Sequence, residues 1–209
     1  MKKGMDKLSK FFNLSKHTLI FLLGLLAIGI ICGSLFNVII SKSDQVIVND
    51  YLASFFNKIT NNELNFMNCF KDSLVFNYLY VLFIWILGIS IIGLPIILFM
   101  FFGKAFTLGF TIAAIIKHYG VKGCLISLAY VFPHYIVNVF VFAVLTVYAL
   151  SLSIRMIKCI VKRKTIDFKP IMKKYTFILI GCLIVILITS LYEALIMPNI
   201  LKYILTIVK

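Results

Sequence analysis

Residues 18–40 read TLIFLLGLLAIGIICGSLFNVII, 23 positions without a formal charge. At about 1.5 Å rise per residue, roughly 20 such positions cross the ~30 Å hydrocarbon layer of a bilayer. Residues 175–193, YTFILIGCLIVILITSLYE, repeat the pattern near the other end, with Glu193 their only charge. The composition agrees: 62% of residues are apolar and 13% charged, and the mean hydropathy is +1.07, far from ordinary globular usage. The expected fold is all-α, a polytopic helical membrane protein.

Working outward from these runs, five membrane segments are expected, at about 18–40, 74–92, 95–116, 124–150 and 175–197. They form one integral membrane domain over 18–197, between tails at 1–17 and 198–209. Residues 74–116 hold 43 positions with Lys104 as the only charge, so their division rests on Gly93, Leu94 and Pro95. Proline lacks the N–H and disfavours helix in the residue before it, which predicts a tight hairpin there. A turn nearer Gly103 and Lys104, leaving a short or re-entrant segment after it, fits the same residues. Five spans consume roughly half to two-thirds of the chain and leave no room for a soluble catalytic domain.

Charge sets the expected orientation. Lys2, Lys3, Lys7, Lys10 and Lys16 precede the first apolar run and imitate a signal peptide. That run is too long for a typical apolar signal core and has no small-x-small cleavage site. Cys32 follows Ile31, where a lipoprotein signal wants a small residue, so a retained signal anchor is expected. Within a second basic region, 151–174, residues 155–174 carry eight basic side chains against Asp167 alone, whereas 41–73 has three lysines against four acids. The positive-inside rule then puts the N-terminus and the 151–174 loop in the cytoplasm, and 41–73 and the C-terminus outside. The net charge of +14 is read as topology determination, compatible with anionic lipid at the cytoplasmic face. Nucleic acid is not an expected partner, because the basic stretch lacks interleaved aromatics on which bases stack.

In the outer segment, Val48, Leu52, Phe55, Phe56 and Ile59 recur at helical spacing. Asn61, Asn62 and Glu63 interrupt before a second stripe of Leu64, Phe66, Met67 and Phe70. An amphipathic helical hairpin is expected, either packed on its own bundle or presenting the first stripe to a partner protein. Gly29 with Gly33, and Ala105 with Gly109, fall at intervals that permit close helix approach, within the bundle or between copies of the chain. Polar groups inside spans are costly; Lys104, His134, Asn138 and Glu193 are therefore candidates for a proton or ion path, with His134 and Asn138 one turn apart. The five cysteines are scattered without a C-x-x-C pair, and His17, His118 and His134 are not spaced as ligands, so neither metal nor cofactor is expected. There is no H-E-x-x-H, G-x-S-x-G, P-loop or dinucleotide turn, and Ser127 with His134 lacks a supporting pattern; an enzyme is not expected.

The order of landmarks adds to this reading. After Asn61 and Asn62 come FGKAFTLGF at 102–110, GVKG at 120–123, FPHYIVN at 132–138, and Tyr192, Glu193 and Ala194 ahead of Pro198. Together these resemble the stage II sporulation protein M family of endospore-forming Gram-positive bacteria, over essentially the whole chain. Asn138 stands where broader relatives often carry an acid. The resemblance implies a membrane scaffold for engulfment, anchoring two peptidoglycan-degrading partners, stage II sporulation proteins D and P. It also implies a multi-pass location in the septal and engulfing mother-cell membrane. The alternative is a permease or transporter subunit using Lys104, His134, Asn138 and Glu193.

Overall fold

The computed structural model describes residues 2–131, 134–162 and 168–208. Phe132, Pro133, Arg163, Lys164 and Asp167 lie outside the described residues, as do the side chains of Lys2, Lys3, Lys7, Lys10, Lys158 and Lys162. Eight helices and no strand occur among the described residues: α1 (Lys2–Ile39), α2 (Lys42–Thr60), α3 (Phe66–Gly88), α4 (Gly93–Tyr119), α5 (Val121–Val131), α6 (His134–Lys162), α7 (Phe168–Leu195) and α8 (Met197–Val208). Five stretches are long and apolar enough to cross a membrane: Lys16–Ile39, Phe66–Gly88, Gly93–Tyr119, His134–Val161 and Lys169–Thr206, the last running from α7 through α8.

The helices begin and end where local chemistry directs. Ser41 caps α2 by accepting from the Asp44 amide at 3.2 Å, and Asn65 caps α3 by accepting from Met67 N at 3.0 Å. Because of that cap, α3 starts at Phe66, eight residues before the expected 74, and carries Lys71 and Asp72 in its first two turns. The hairpin falls between Gly88 and Gly93, as Gly93, Leu94 and Pro95 suggested; α4 then runs unbroken through Gly103 and Lys104, which removes the alternative turn.

Among the described residues, the fourth span, expected at 124–150, is helical throughout, in α5 up to Val131 and in α6 from His134. The basic region at 151–174 is mostly helical, in the end of α6 and the start of α7. Residues 198–208, within the expected 198–209 tail, form most of α8, an amphipathic helix with Met197, Leu201 and Leu205 buried along one edge.

The interior has two parts. The larger cluster joins α1, α3, α4, α6 and α7 around Ile84, Ile97, Phe101, Phe142, Leu145 and Ile186. The smaller one caps one end, where Leu52, Phe56 and Ile59 of α2 meet Ala114 and Ile115 of α4, Ile126 of α5, and Leu201 of α8. At the opposite end Ser153 Oγ donates to the Gly88 carbonyl at 2.9 Å, fixing the end of α6 on the α3–α4 hairpin.

The most extensive helix pair is α1 with α4, and it is built on missing side chains. A Cβ on Gly33 would strike the Phe106 carbonyl, one on Gly109 the Ile30 carbonyl, and one on Gly29 the Cβ of Ala105. Ser34 Oγ spans the seam, 3.1 Å from the Gly109 carbonyl. Lipid is as apolar as leucine, so helices in a bilayer associate by close packing and polar contacts, which small residues allow. These glycines are therefore occupied within the chain and offer no face to a second copy.

Candidate functional site

The costly polar groups converge on one network near the capped end. Lys104 of α4 lies 3.3 Å from Asn77 Oδ1 on α3 and donates to it. Asn77 Nδ2 donates to the Ser73 carbonyl at 2.9 Å, and Ser73 Oγ donates to Glu193 of α7. The other oxygen of Glu193 is 3.6 Å from His134 Nε2 at the start of α6. Four helices thus share one chain of polar contacts. Aromatic rings complete the Lys104 site: its Nζ is 4.8 Å from the centres of Phe76 and Tyr80 and 5.0 Å from that of Phe142.

The energetics explain why these residues assemble. A lysine at the centre of a crossing helix costs about 2.5–3.5 kcal/mol on insertion scales. A ring face returns roughly 0.5–2 kcal/mol by its quadrupole, and the Asn77 amide supplies an acceptor. The anion is placed alongside: Glu193, about one-quarter exposed, accepts from Ser73 and faces His134, which is buried. His134 Nδ1 has no hydrogen-bond partner among the described residues.

Of the four polar residues read from the sequence, Lys104, His134 and Glu193 are connected, and Asn138 is not. Asn138 Oδ1 instead accepts from Thr189 Oγ1 at 2.7 Å. Ser73, Asn77 and Thr189 carry no charge, so nothing in an apolar run marked them out; their spacing along α3 and α7 was the available signal. The geometry is not that of a nucleophile. The Ser73 hydroxyl is directed at a carboxylate, with the histidine on its far side, and Ser127 Oγ donates to the Cys124 carbonyl at 3.0 Å. No group of three His, Cys, Asp or Glu that could hold a metal occurs among the described residues.

The second candidate, the α2 stripe, faces inward. Leu52, Phe56 and Ile59 are buried, and Val48 and Phe55 pack against the same cluster. Phe56 meets Tyr119 edge-on at 5.3 Å, and Phe55 meets Tyr130 at 5.9 Å. Much of the stripe is thus engaged within the chain, and α8, unrecognised as a helix, supplies part of the matching edge. Lys202 of α8 also donates to Asn62 Oδ1 at 2.9 Å, tying it to the α2–α3 turn.

Against this geometry, the family model for Stage II sporulation protein M matches residues 17–198, from the last turn before the first apolar run into the first turn of α8. No curated protein and no solved structure matches the chain.

Proposed function

Because the chain belongs to the Stage II sporulation protein M family, we propose that this sporulation-related, multi-pass membrane protein is a scaffold. In this reading it anchors peptidoglycan-degrading partners, stage II sporulation proteins D and P, at the septal and engulfing mother-cell membrane. The chain itself performs no chemistry and needs no cofactor; the partners cleave the wall. The observation carrying the proposal is the extent of the family match, which over residues 17–198 reaches each of the five membrane-crossing stretches. The site is compatible with it, since the intramembrane polar groups are engaged with one another across α3, α4, α6 and α7.

The orientation proposed is N-terminus in the cytoplasm and capped end outside, supported by the basic residues of 1–17 and 155–174. With much of the α2 stripe engaged within the chain and the seam glycines spent, partner anchors would dock on the lipid-facing sides of the peripheral helices. On α1 that side includes Ile20, Gly24, Ile28 and Ile31, all exposed. The test is a membrane pull-down from sporulating cells. Co-isolation of both wall hydrolases is expected; their absence from a fully inserted, functional protein would overturn the proposal.

A transporter subunit is the second reading, favoured by one observation: Lys104, Glu193 and His134 are linked within the membrane region. It requires Glu193 to ionise and release a proton or cation during turnover, which separates it from the scaffold experimentally.

A further inference from the structure

Beyond the family's role, one cavity has a built character that neither the polar network nor the scaffold reading uses. A groove of about 430 Å³ runs between α2, α4 and α5, lined by Ile47, Tyr51, Phe55, Phe110, Thr111 and Tyr130 among others. It opens along α2 beside Val48, Leu52 and Phe56, and Ile47 and Tyr51 at its mouth are 67% and 71% exposed. Phe110 and Thr111 belong to the second half of a membrane-crossing helix, so the groove faces the outer part of the hydrocarbon layer at the capped end.

Its size and its rim identify the occupant. A helix with side chains is at least ~10 Å across with a 5.4 Å pitch, so this volume admits only about one helical turn. That is too little for a partner helix and suits a single extended hydrocarbon chain. Beyond the groove, α4 ends in Lys117 and His118, and Gly120, at a φ of 62°, turns the chain into α5 with Lys122 next along. All three basic side chains are exposed, and Lys117 Nζ also donates to the Asn37 carbonyl of α1 at 3.4 Å. His118 Nδ1 lies 3.3 Å from Asn49 Oδ1, closing the corner onto α2. No acidic residue occurs between Asp72 and Asp167; the acid nearest in sequence to Asn49 is its neighbour Asp50. We propose that this groove is a lipid site: one acyl chain of an anionic phospholipid lies along Phe110 and Thr111, and its phosphodiester sits at the Lys117–Lys122 corner. Basic pockets between membrane helices bind anionic headgroups on the cytoplasmic side, and the same Coulomb attraction acts here at the outer face.

The experiment uses the full chain carrying Tyr51→Trp and Trp85→Phe, which leaves one tryptophan at the groove mouth, in phosphatidylcholine nanodiscs. Phosphatidylglycerol with brominated acyl chains is titrated in and fluorescence quenching followed. Half-maximal quenching is expected at a mole fraction at least about tenfold below that for brominated phosphatidylcholine, and Lys117→Gln with Lys122→Gln should erase most of that difference, about what two interfacial lysines contribute. Native mass spectrometry of the unsubstituted chain, expected to show phosphatidylglycerol retained over phosphatidylcholine, gives the same answer should the tryptophan variant not fold. Equal quenching by the two lipids, or equal retention, would overturn the site and leave the groove as ordinary lipid contact.

Discussion

Between α1 and α4 the contact is made by backbone: Gly29, Gly33 and Gly109 let carbonyls of one helix approach the other as no larger residue could. In the cap the contact is made by large side chains, with Phe56, Ile59, Ile126 and Leu201 nearly or fully buried. The difference follows from the solvent that each region leaves. Helices surrounded by hydrocarbon gain nothing from burying leucine, so shape and polar contacts decide which pairs form. The cap is built from short helices around the ends of the crossing ones, where burial of apolar surface again has water as its reference state.

That contrast can be broken at both ends. The largest effect is expected from Gly33→Leu, because a side chain there meets the Phe106 carbonyl and the helices cannot stay together. Overpacking costs roughly 1–3 kcal/mol where side chains can shift, and a backbone obstacle should exceed that. Loss of the protein from membranes is the expected readout. Gly24→Leu on the same helix has open space around it and should stay within about 0.5 kcal/mol of the parent. Equal tolerance of both changes would dissolve the seam argument.

In the cap, Leu201→Ala should cost about 2–5 kcal/mol locally, as a fully buried leucine does. The expected signature is protease access to α8 and to the α2–α3 turn while the crossing helices remain protected. Simultaneous loss of both regions would show that cap and bundle fold as one unit.

The smallest effect, and the sharpest, concerns the polar network that joins the two. Lys104→Met and Glu193→Gln, measured singly and together by unfolding in detergent, should show a coupling of about 1 kcal/mol, within the range of interhelical hydrogen bonds in membranes. Additive single effects would mean that the path through Asn77 and Ser73 carries no energy between them.

The parts legible in the sequence were those that announce themselves by length or charge. Five apolar runs gave five crossing helices, and Lys104, His134 and Glu193 stood out because a bilayer penalises such groups. The missed pieces are short or uncharged. Helix α8 has 12 residues and passed for a tail. The inward face of α2 then looked available, since the residues that cover it were not recognised as an element. Ser73 and Asn77 are polar enough to relay a contact and too small a perturbation to interrupt a hydrophobic pattern.

The central claim is that the intramembrane charges hold helices together in a scaffold and do not move ions. Glu193→Gln in sporulating cells tests it most directly, because glutamine keeps the shape and the acceptor oxygen but cannot ionise. Engulfment should proceed, with the wall hydrolases still co-isolating and at most a mild loss of stability. Arrested engulfment with normal protein abundance and intact hydrolase association would contradict the claim and support transport.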